Sequence, residues 1–473
     1  MGQSGQEQSR FPGARAVSPT GVRDAEAIAR LLERVAARDV RFVNLEFTDV
    51  VGLAKSVTIP VEQLAEALAQ GKWFDGSAIE GLPRVVETDM YLRPEPATLT
   101  ELPWRAEGDG AGRVARLICD VLAPTGERFA GDPRAVLIET LGAVAAAGYR
   151  YEVAPELEFF LLRDAEGLPG APLSHDRGGY FDLSTDLAAD VRREIVAELG
   201  QMEIAIESSH HEVAAGQHEI DFAAADALTV ADAVVTARYA IKAIAQRHGL
   251  TATFLPKPFY GVSGSGMHVH QRLLRLSDGA NAFADPADAE YSLSPLARHF
   301  IAGQLAHAPG MSAIIAPLVN SYKRLVPGFE APVMISWGRV NREALARAPR
   351  VAPGALESMR IELRSPDPAC NPYLAFAVMV RAGLDGVARS LPLAAPIEEG
   401  LYTLDEAARL RRGIALLPAT LGEALTALQA DEVMLDTLGD QIAAWFVEAK
   451  SQEWQEYRRQ VHAWEIDRYL PLF

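Results

Sequence analysis

Cysteine is scarce in this chain of 473 residues, which contains only Cys119 and Cys370. The two are far apart and form no CxxC pair, so a disulfide framework and a thiolate zinc site are both excluded. Long hydrophobic runs are also missing, and no uninterrupted apolar stretch approaches membrane-spanning length. We therefore expect a cytoplasmic protein that does not enter a membrane.

Basic residues are fewer than acidic ones, 45 against 63, which gives the chain a net charge of -18 at pH 7. This balance argues against a general nucleic-acid partner and against binding to anionic lipid. The chain has no GxxxxGK[ST] loop, and the glycines of "GVSGSGMHVH", residues 261–270, are in the wrong order for a dinucleotide fingerprint. Any anionic ligand must therefore be held by a local cluster of basic residues.

Length and patterning divide the chain into a tail and two folded regions. Residues 1–20 are polar and rich in Gly, Ser and Gln, which predicts a disordered tail. Residues 21–124 show a helical stretch followed by strand-like segments, which indicates a small domain. Residues 125–473 combine strands with longer helices, including a terminal helix over residues 438–470. We expect two domains of the α+β class, because 473 residues exceed one ordinary core.

Three predicted strands each have one apolar face and one face of charged or imidazole side chains. Side chains two residues apart share a face of a strand. The polar faces comprise Glu156 and Glu158 in the first strand, His268 and His270 in the second, and Arg360, Glu362 and Arg364 in the third. One interpretation is three amphipathic strands with a solvated side. Glutamate is a poor strand former, so we favour a curved sheet whose concave face lines a site.

Two more acids, Glu212 and Glu219, lie in "HHEVAAGQHEIDF", residues 210–222. Several carboxylates with one histidine and no thiolate suit Mg²⁺ or Mn²⁺ rather than zinc. Two neighbouring ions of this kind are suited to holding a phosphate. The candidate metal ligands are Glu156, Glu158, Glu212, Glu219, His268 and Glu362. We interpret the remaining histidines of the segment, His210, His211 and His218, as structural residues.

A basic cluster follows between residues 324 and 364, which contains seven arginines. Arginine binds phosphate and carboxylate oxygens through two parallel hydrogen bonds and stays charged. Surface arginines are the alternative, which we favour for Arg339 and Arg350. The others are candidates for binding an anionic substrate.

Taken together, these segments resemble the type I glutamine synthetase family over essentially the whole chain after the tail. The stretches that carry the resemblance include "FTDVVG", "FDGSAIEG", "APELEFF", "HHEVAAGQHEIDF", "NSYKRLVPGFEAPV" and "RIELRSPDPACNPYLAFA". The resemblance implies a small N-terminal β-grasp-like domain, residues 21–124, and a large C-terminal catalytic domain, residues 125–473. The catalytic domain would have a curved antiparallel sheet lined by helices. The family's subunits form a dodecamer of two stacked hexameric rings, with active sites shared between neighbours.

The resemblance also implies a reaction, the ATP-dependent ligation of ammonia to L-glutamate for nitrogen assimilation. ATP is a substrate that converts the γ-carboxylate, a poor electrophile, to γ-glutamyl phosphate. Ammonia then displaces phosphate to give glutamine. By resemblance, Glu158, Glu212 and Glu219 hold one Mg²⁺ or Mn²⁺ ion. A second ion is held by Glu156, His268 and Glu362.

Further roles follow from the same motifs. Asp49, Glu330 and Arg342 would be catalytic, with Asp49 coming from a neighbouring subunit to deprotonate ammonium and Glu330 carried on a stiff flap, residues 325–332. The residues implied for glutamate and ammonium are Tyr180, Gly264, His268, Arg324, Glu330 and Arg364. Those implied for ATP and phosphate are His270, Arg342, Arg347 and Arg360. From local sequence alone, a turn residue at the end of a strand is the better explanation of Asp49.

Two alternative functions remain at this point. A γ-glutamylpolyamine or other amine ligase would keep the same scaffold, although such enzymes tend to lose the ammonium-binding acids. An inactive structural relative would lose metal ligands, and none is lost here. Ser263, Arg272 and Glu343 depart from the usual family pattern.

Regulation is also implied by the resemblance. The motifs favour feedback inhibition by glutamine, relayed by Arg84, over covalent modification of a tyrosine. Tyr402 is then an ordinary loop residue.

Overall fold

The computed structural model describes residues 25–76, 89–105, 112–163, 176–352, 354–401 and 405–473. The predicted tail, Arg84 and Tyr402 lie outside these residues. The helices are α1 Ala25–Ala37, α2 Leu64–Gln70, α3 Pro133–Ala146, α4 Ala189–Gln201, α5 Ala227–Arg247, α6 Pro295–Ile315, α7 Ser321–Arg324, α8 Pro372–Ala388, α9 Glu406–Arg411, α10 Leu421–Gln429, α11 Glu432–Tyr457 and α12 Ala463–Tyr469.

The strands form two sheets. They are β1 Val40–Thr48, β2 Ala54–Pro60, β3 Lys72–Asp75, β4 Asp89–Pro94, β5 Thr100–Glu101, β6 Arg113–Leu122, β7 Tyr149–Arg163, β8 Ile206–His211, β9 Gln217–Phe222, β10 Ala225–Asp226, β11 Leu250–Thr253, β12 Met267–Arg275, β13 Met334–Gly338, β14 Ala344–Arg347 and β15 Ile361–Leu363.

The smaller sheet has the order β2-β1-β6-β4-β3, and β5 pairs with β6. Its β1–β6 pair is parallel, and its other pairs are antiparallel. Leu45 of β1, Leu92 of β4 and Leu117 of β6 are fully buried in its core, together with Leu64 of α2. This sheet therefore has its own apolar core, covered by the first two helices.

The larger sheet has the order β13-β14-β15-β12-β7-β9-β8, and β10 and β11 pair with β7. Its strands are antiparallel except for the β13–β14 pair. The three strands predicted to carry polar faces are β7, β12 and β15, and they are direct neighbours. Their apolar side chains, such as Leu157, Met267 and Ile361, are fully buried against the helices. The predicted α+β fold with a large antiparallel sheet lined by helices is confirmed.

The C-terminal helix differs from the prediction of one helix over residues 438–470. Gly439 adopts a left-handed conformation with φ of 72°, which kinks α11 near its start. A second break follows Tyr457, and α12 begins after His462, where a capping box with Glu465 satisfies the free backbone amides. Helical spacing of apolar residues does not reveal such breaks. Among the described helices, none combines the length and apolarity needed to cross a membrane.

Candidate active site

The polar faces of β7, β9, β12 and β15 line one cleft of about 430 Å³. Fifteen of the residues predicted for the site line it: Glu156, Glu158, Tyr180, Glu212, Glu219, Gly264, His268, His270, Arg324, Glu330, Arg342, Arg347, Arg360, Glu362 and Arg364. These residues come from segments spread over more than 200 positions of the chain. Strand pairing brings them together, because His268 lies opposite Glu156, and Glu158 lies opposite Glu219.

The first acidic group in the cleft consists of Glu156, His268 and Glu362, whose ligand atoms all lie within 4.8 Å of one another. His268 Nδ1 lies 3.1 Å from Glu156 Oε2 and 3.8 Å from Glu362 Oε1. Burial, followed by the positive charge of Arg364, lowers the pKa of His268 to about 4. The imidazole is therefore neutral near pH 7, as a metal ligand must be.

The second acidic group contains Glu212 and Glu219, with Glu158 next to them across the β7–β9 pair. Burial, reinforced by the charge of Glu212, raises the pKa of Glu158 to about 8. Burial, together with the nearby carboxylates led by Glu158, raises the pKa of Glu219 to about 12. Like charges held this close are costly unless a proton or a cation offsets them. A divalent cation would supply that charge, so the oxygen-rich donor set fits Mg²⁺ or Mn²⁺.

Two residues that the sequence analysis left out belong to this group. His210 Nε2 lies 3.4 Å from Glu219 Oε1, and His210 Nδ1 lies 3.7 Å from Glu212 Oε1. Asp221 forms a further cluster with Glu156 and Glu219. The spacing of two between His210 and Glu212, and between Glu219 and Asp221, is a signal that could have identified both.

The other two histidines of the segment do not line the cleft. His211 and His218 are buried behind it. His211 Nε2 lies 3.3 Å from Asp176, and His218 Nδ1 lies 3.0 Å from Arg192. These partners are those of structural histidines.

Arginines surround the first acidic group. Arg347 and Arg364 donate to the two oxygens of Glu362, at 2.5 Å and 2.6 Å. Arg360 Nε lies 3.2 Å from His270 Nδ1. Arg342 lines the cleft and is exposed, so its guanidinium is accessible to an anion. Together the four provide a positively charged wall next to the acids.

Arg324 differs from these arginines, because the backbone holds it. It is buried and donates to the carbonyl oxygens of Arg364, Ser365 and Pro366 at 2.9–3.2 Å. These contacts fix the guanidinium at the edge of the cleft. Arg339 and Arg350 do not line the cleft, and Arg339 stacks over the ring of Tyr291, 4.6 Å from its centroid.

Asp49 lies away from the cleft within a single chain. It occupies the tight turn after β1, where its Oδ1 accepts a hydrogen bond of 2.8 Å from the Leu53 amide. Lys55 Nζ lies 3.3 Å from its other oxygen, and Asn371 donates to its carbonyl oxygen at 3.0 Å. Asp49 is buried in this turn and is not among the residues that line the cleft of its own chain.

The three departures from the family pattern lie in different places. Ser263 lines the cleft next to Gly264. Arg272 does not, because its guanidinium donates to Glu152 Oε2 at 2.7–2.9 Å. The Glu343 amide donates to Asn341 at 2.9 Å, in the turn before β14. Of the three, Ser263 is the one placed where a ligand can be contacted.

The fold and cleft define a class of site, in which carboxylates and a histidine suited to divalent cations lie beside arginines suited to an anion on an antiparallel sheet. The "Glutamine synthetase, beta-Grasp domain" family matches residues 39–124, and the "Glutamine synthetase, catalytic domain" family matches residues 130–469. The chain belongs to the glutamine synthetase family.

Individual relatives are similar over almost their full length. The glutamine synthetase of Thermus thermophilus is 50% identical, covering 94% of this chain and 99% of the relative. The glutamine synthetase of Halobacterium salinarum is 49% identical, and the similarity covers 94% of this chain and 96% of that relative. A solved structure of a GmaS/ADP complex is 32% identical with a TM-score of 0.83, covering 93% of this chain and 99% of that one. The solved structure of Plasmodium falciparum glutamine synthetase has the same fold, with a TM-score of 0.83 at 24% identity. The match covers 93% of this chain and 98% of that one.

Proposed function

We propose that this chain catalyses the ATP-dependent ligation of ammonia to L-glutamate, giving L-glutamine, ADP and phosphate. The observation that carries the proposal is the convergence of fifteen predicted site residues on one cleft. Relatives about half identical over more than nine-tenths of the chain share the name glutamine synthetase. This agreement disfavours the amine ligase and the inactive relative.

The cleft holds two Mg²⁺ or Mn²⁺ ions in this proposal. Glu156, His268 and Glu362 hold one ion. Glu158, Glu212 and Glu219 hold the other, and His210 lies beside them. When bound, such ions neutralise the triphosphate and the charge that develops on the transferred phosphoryl group.

The chain's own residues position the substrates around these ions. Arg342, Arg347 and Arg360 bind phosphate oxygens, and His270 orients Arg360. Arg324 and Arg364 face the glutamate carboxylate or the transferring group. Gly264 lines the glutamate side of the cleft in this proposal, and its lack of a side chain allows the close approach of the Pro256 carbonyl oxygen, which would lie 2.2 Å from an added Cβ.

Ammonium requires a base, because it is nucleophilic only after losing a proton. Asp49 of a neighbouring subunit takes that role in this proposal, and Tyr180 lines the ammonium side of the cleft. Glu330 on the flap faces the cleft, excludes water from the γ-glutamyl phosphate and accepts a second proton.

A shared active site requires an oligomer, and we propose the dodecamer of two stacked hexamers. The C-terminal segment supports assembly, because Trp464, Leu470 and Phe473 expose large apolar side chains. We also propose a division into domains at residues 21–124 and 125–473. It is supported by the separate apolar core of the smaller sheet, which is drawn mainly from residues 31–121.

Location and regulation complete the proposal. We place the protein in the cytoplasm, which agrees with two buried, free cysteines, Cys119 and Cys370. Feedback inhibition by glutamine through Arg84 remains a prediction from the sequence.

The direct test is glutamine formation by the purified chain with glutamate, ATP, Mg²⁺ and ammonium, omitting each in turn. We expect product only when all four are present. Putrescine and ethanolamine replace ammonium in parallel reactions, and faster turnover with either would favour the amine ligase. Added glutamine tests feedback. A complete mixture that yields no glutamine contradicts the proposal.

A further inference from the structure

Two loops that line the cleft are joined by a cation–ring contact. The first loop, residues 254–266, carries Ser263 and Gly264, and the second is the flap, residues 325–332. Lys257 of the first loop places its ammonium 3.8 Å from the centroid of the Phe329 ring in the flap. A cation this close to an aromatic face is attracted to it, and more strongly when partly removed from water. Lys257 is only 9% exposed.

Lys257 is firmly held on its own side of the cleft. Its amide donates to Asn320 Oδ1 at 2.7 Å, and Asn320 Nδ2 donates back to its carbonyl oxygen at 3.0 Å. Its ammonium also donates to the carbonyl oxygen of Val262, next to the cleft-lining Ser263. The lysine therefore offers the flap a fixed point of attachment.

The flap, by contrast, needs support from outside. Pro327, Gly328 and Glu330 are exposed, and Phe329 is half-buried. Glu330 has a φ of 59°, a left-handed conformation that is uncommon for a residue with a side chain and persists only when its surroundings enforce it. The Glu330 carbonyl oxygen accepts a long hydrogen bond of 3.5 Å from Arg364. Leu325 and Ala331 anchor the ends of the flap in the main core, and within its exposed middle, residues 327–330, the Phe329 ring is the partly buried side chain.

We infer that Lys257 is a positioning residue that holds the flap, and with it Glu330, over the cleft. The inference rests on the proposed function. Water that reaches γ-glutamyl phosphate returns glutamate and inorganic phosphate, so one ATP is converted to ADP and phosphate without forming glutamine. Loosening the flap should therefore uncouple ATP hydrolysis from glutamine synthesis.

The experiment measures phosphate released per glutamine formed by the full-length enzyme with saturating ATP, glutamate and ammonium. Lys257→Met keeps the length of the side chain and removes its charge. We expect the excess of this ratio over one, which measures uncoupled hydrolysis, to rise by ~3- to 10-fold, the range for losing a partly buried cation–ring contact. Phe329→Leu should raise it similarly, and the double variant should be no worse than either single one.

Conservative variants test whether charge and ring are what matter. Lys257→Arg and Phe329→Tyr keep a cation and an aromatic face, so both should retain a ratio near that of the wild type. Lys242→Met is the matched control, because Lys242 lies 5.8 Å from the Phe254 ring centroid and does not line the cleft. It should leave the ratio unchanged.

The phosphate-to-glutamine ratio distinguishes a misplaced flap from a loss of folded enzyme, because molecules that do not fold release no phosphate and form no glutamine. An unchanged ratio in Lys257→Met, or failure of Lys257→Arg to restore it, overturns the inference. If Lys257→Met does not fold, the two Phe329 variants provide the test. The ratio must rise in Phe329→Leu and stay near the wild-type value in Phe329→Tyr, and any other result overturns the inference. Wild-type enzyme that forms no glutamine at all would refute the proposed function itself, whatever the variants do.

Discussion

Three carboxylates in this cleft, those of Glu158, Glu212 and Glu219, are held in an environment that opposes their ionisation and raises their pKa values. Glu158 and Glu219 face each other across two strands, and Glu212 lies beside them. Residue types and spacing were sufficient to predict these acids, because a period of two places them on one face. The sequence could not reveal how strongly they interact, since this depends on the separation of strands that are distant in the chain.

Replacing Glu219 by Gln should stabilise the metal-free protein and impair its response to metal. The pKa of Glu219 is raised from 4.5 to about 12, so its protonated form contributes stability at low pH. That contribution is lost as the pH rises from about 4.5 through the raised pKa. In EDTA, thermal melting from about pH 5 to about pH 9 should show the wild type losing stability relative to Glu219→Gln.

Added Mg²⁺ provides the control for this prediction. It should raise the melting temperature of the wild type much more than that of Glu219→Gln. The apparent Mg²⁺ affinity in the activity assay should fall by ~10- to 100-fold or more, as for loss of a group that supports a metal site. Equal stabilisation of both proteins by Mg²⁺ would contradict the assignment of Glu219.

At the scale of elements, the catalytic sheet is supported by helices that approach one another closely. Gly303 of α6 faces α8, where an added Cβ would lie 2.1 Å from the Ala382 carbonyl oxygen. Gly386 of α8 faces back, with the His299 carbonyl oxygen 2.2 Å from its virtual Cβ. Both helices could be predicted from apolar spacing, but the faces at which they cross could not.

Gly303→Ala should therefore destabilise the protein by ~1–3 kcal/mol, because backbone atoms cannot yield to the methyl group as a side chain would. Gly142→Ala in α3 is the matched control, since nothing lies within 4 Å of its virtual Cβ. That variant should be neutral or stabilising by up to ~1 kcal/mol, from helix propensity alone. Chemical denaturation of both variants measures the difference, and equal effects would argue against the close crossing.

A second element-scale prediction concerns His307 of α6, which links two other segments. Its Nδ1 lies 2.8 Å from Asp431, before α11, and its Nε2 lies 3.0 Å from Asp385 of α8. Burial opposes protonation, but the hydrogen bonds to both aspartates outweigh it and raise the pKa of His307 above 6.5. The stabilisation that the protonated imidazole provides is fully present below pH 6.5 and is lost as the pH rises through the raised pKa.

His307→Gln should thus cost more stability at about pH 6 than at about pH 9, because the stabilisation from the charged imidazole declines as the pH rises. Denaturation midpoints of both proteins at the two pH values test this. A stability difference that does not change with pH would mean that the pair of aspartates does not hold a charged imidazole.

At the scale of the whole molecule, one of the residues predicted to be catalytic does not line the cleft of its own chain. Fifteen predicted residues line it, whereas Asp49 sits in a turn of the smaller sheet beside Asn371. The resemblance predicted its contribution from a neighbouring subunit. Local sequence alone favoured a turn residue, and the structure places Asp49 in that turn, where it is buried. Its contribution to the cleft of a neighbouring chain stays a prediction.

Mixed oligomers test the shared site. Asp49→Ala and Glu362→Gln should each be inactive alone, by removing the ammonium base or a metal ligand. Co-expressed and assembled at random in equal amounts, they should recover about a quarter of wild-type activity, since both intact residues meet at one site in four. Mixing the two proteins after separate assembly is the control. Co-assembly without recovered activity would mean that Asp49 does not complete the cleft of a neighbouring chain.

The sequence by itself determined the chemistry of the site. Carboxylates, histidines and arginines at a spacing of two identify polar strand faces, because alternation along a strand is a local property. Long motifs in the right order identified the family, and most predicted elements formed.

Tertiary structure alone decided the rest. It made β15, β12, β7 and β9 neighbours, brought His210 into the cleft and kept Asp49 out of it. It also placed Lys257 against Phe329. Each of these depends on contacts between residues far apart in the chain, which packing and strand order determine and local patterns do not encode.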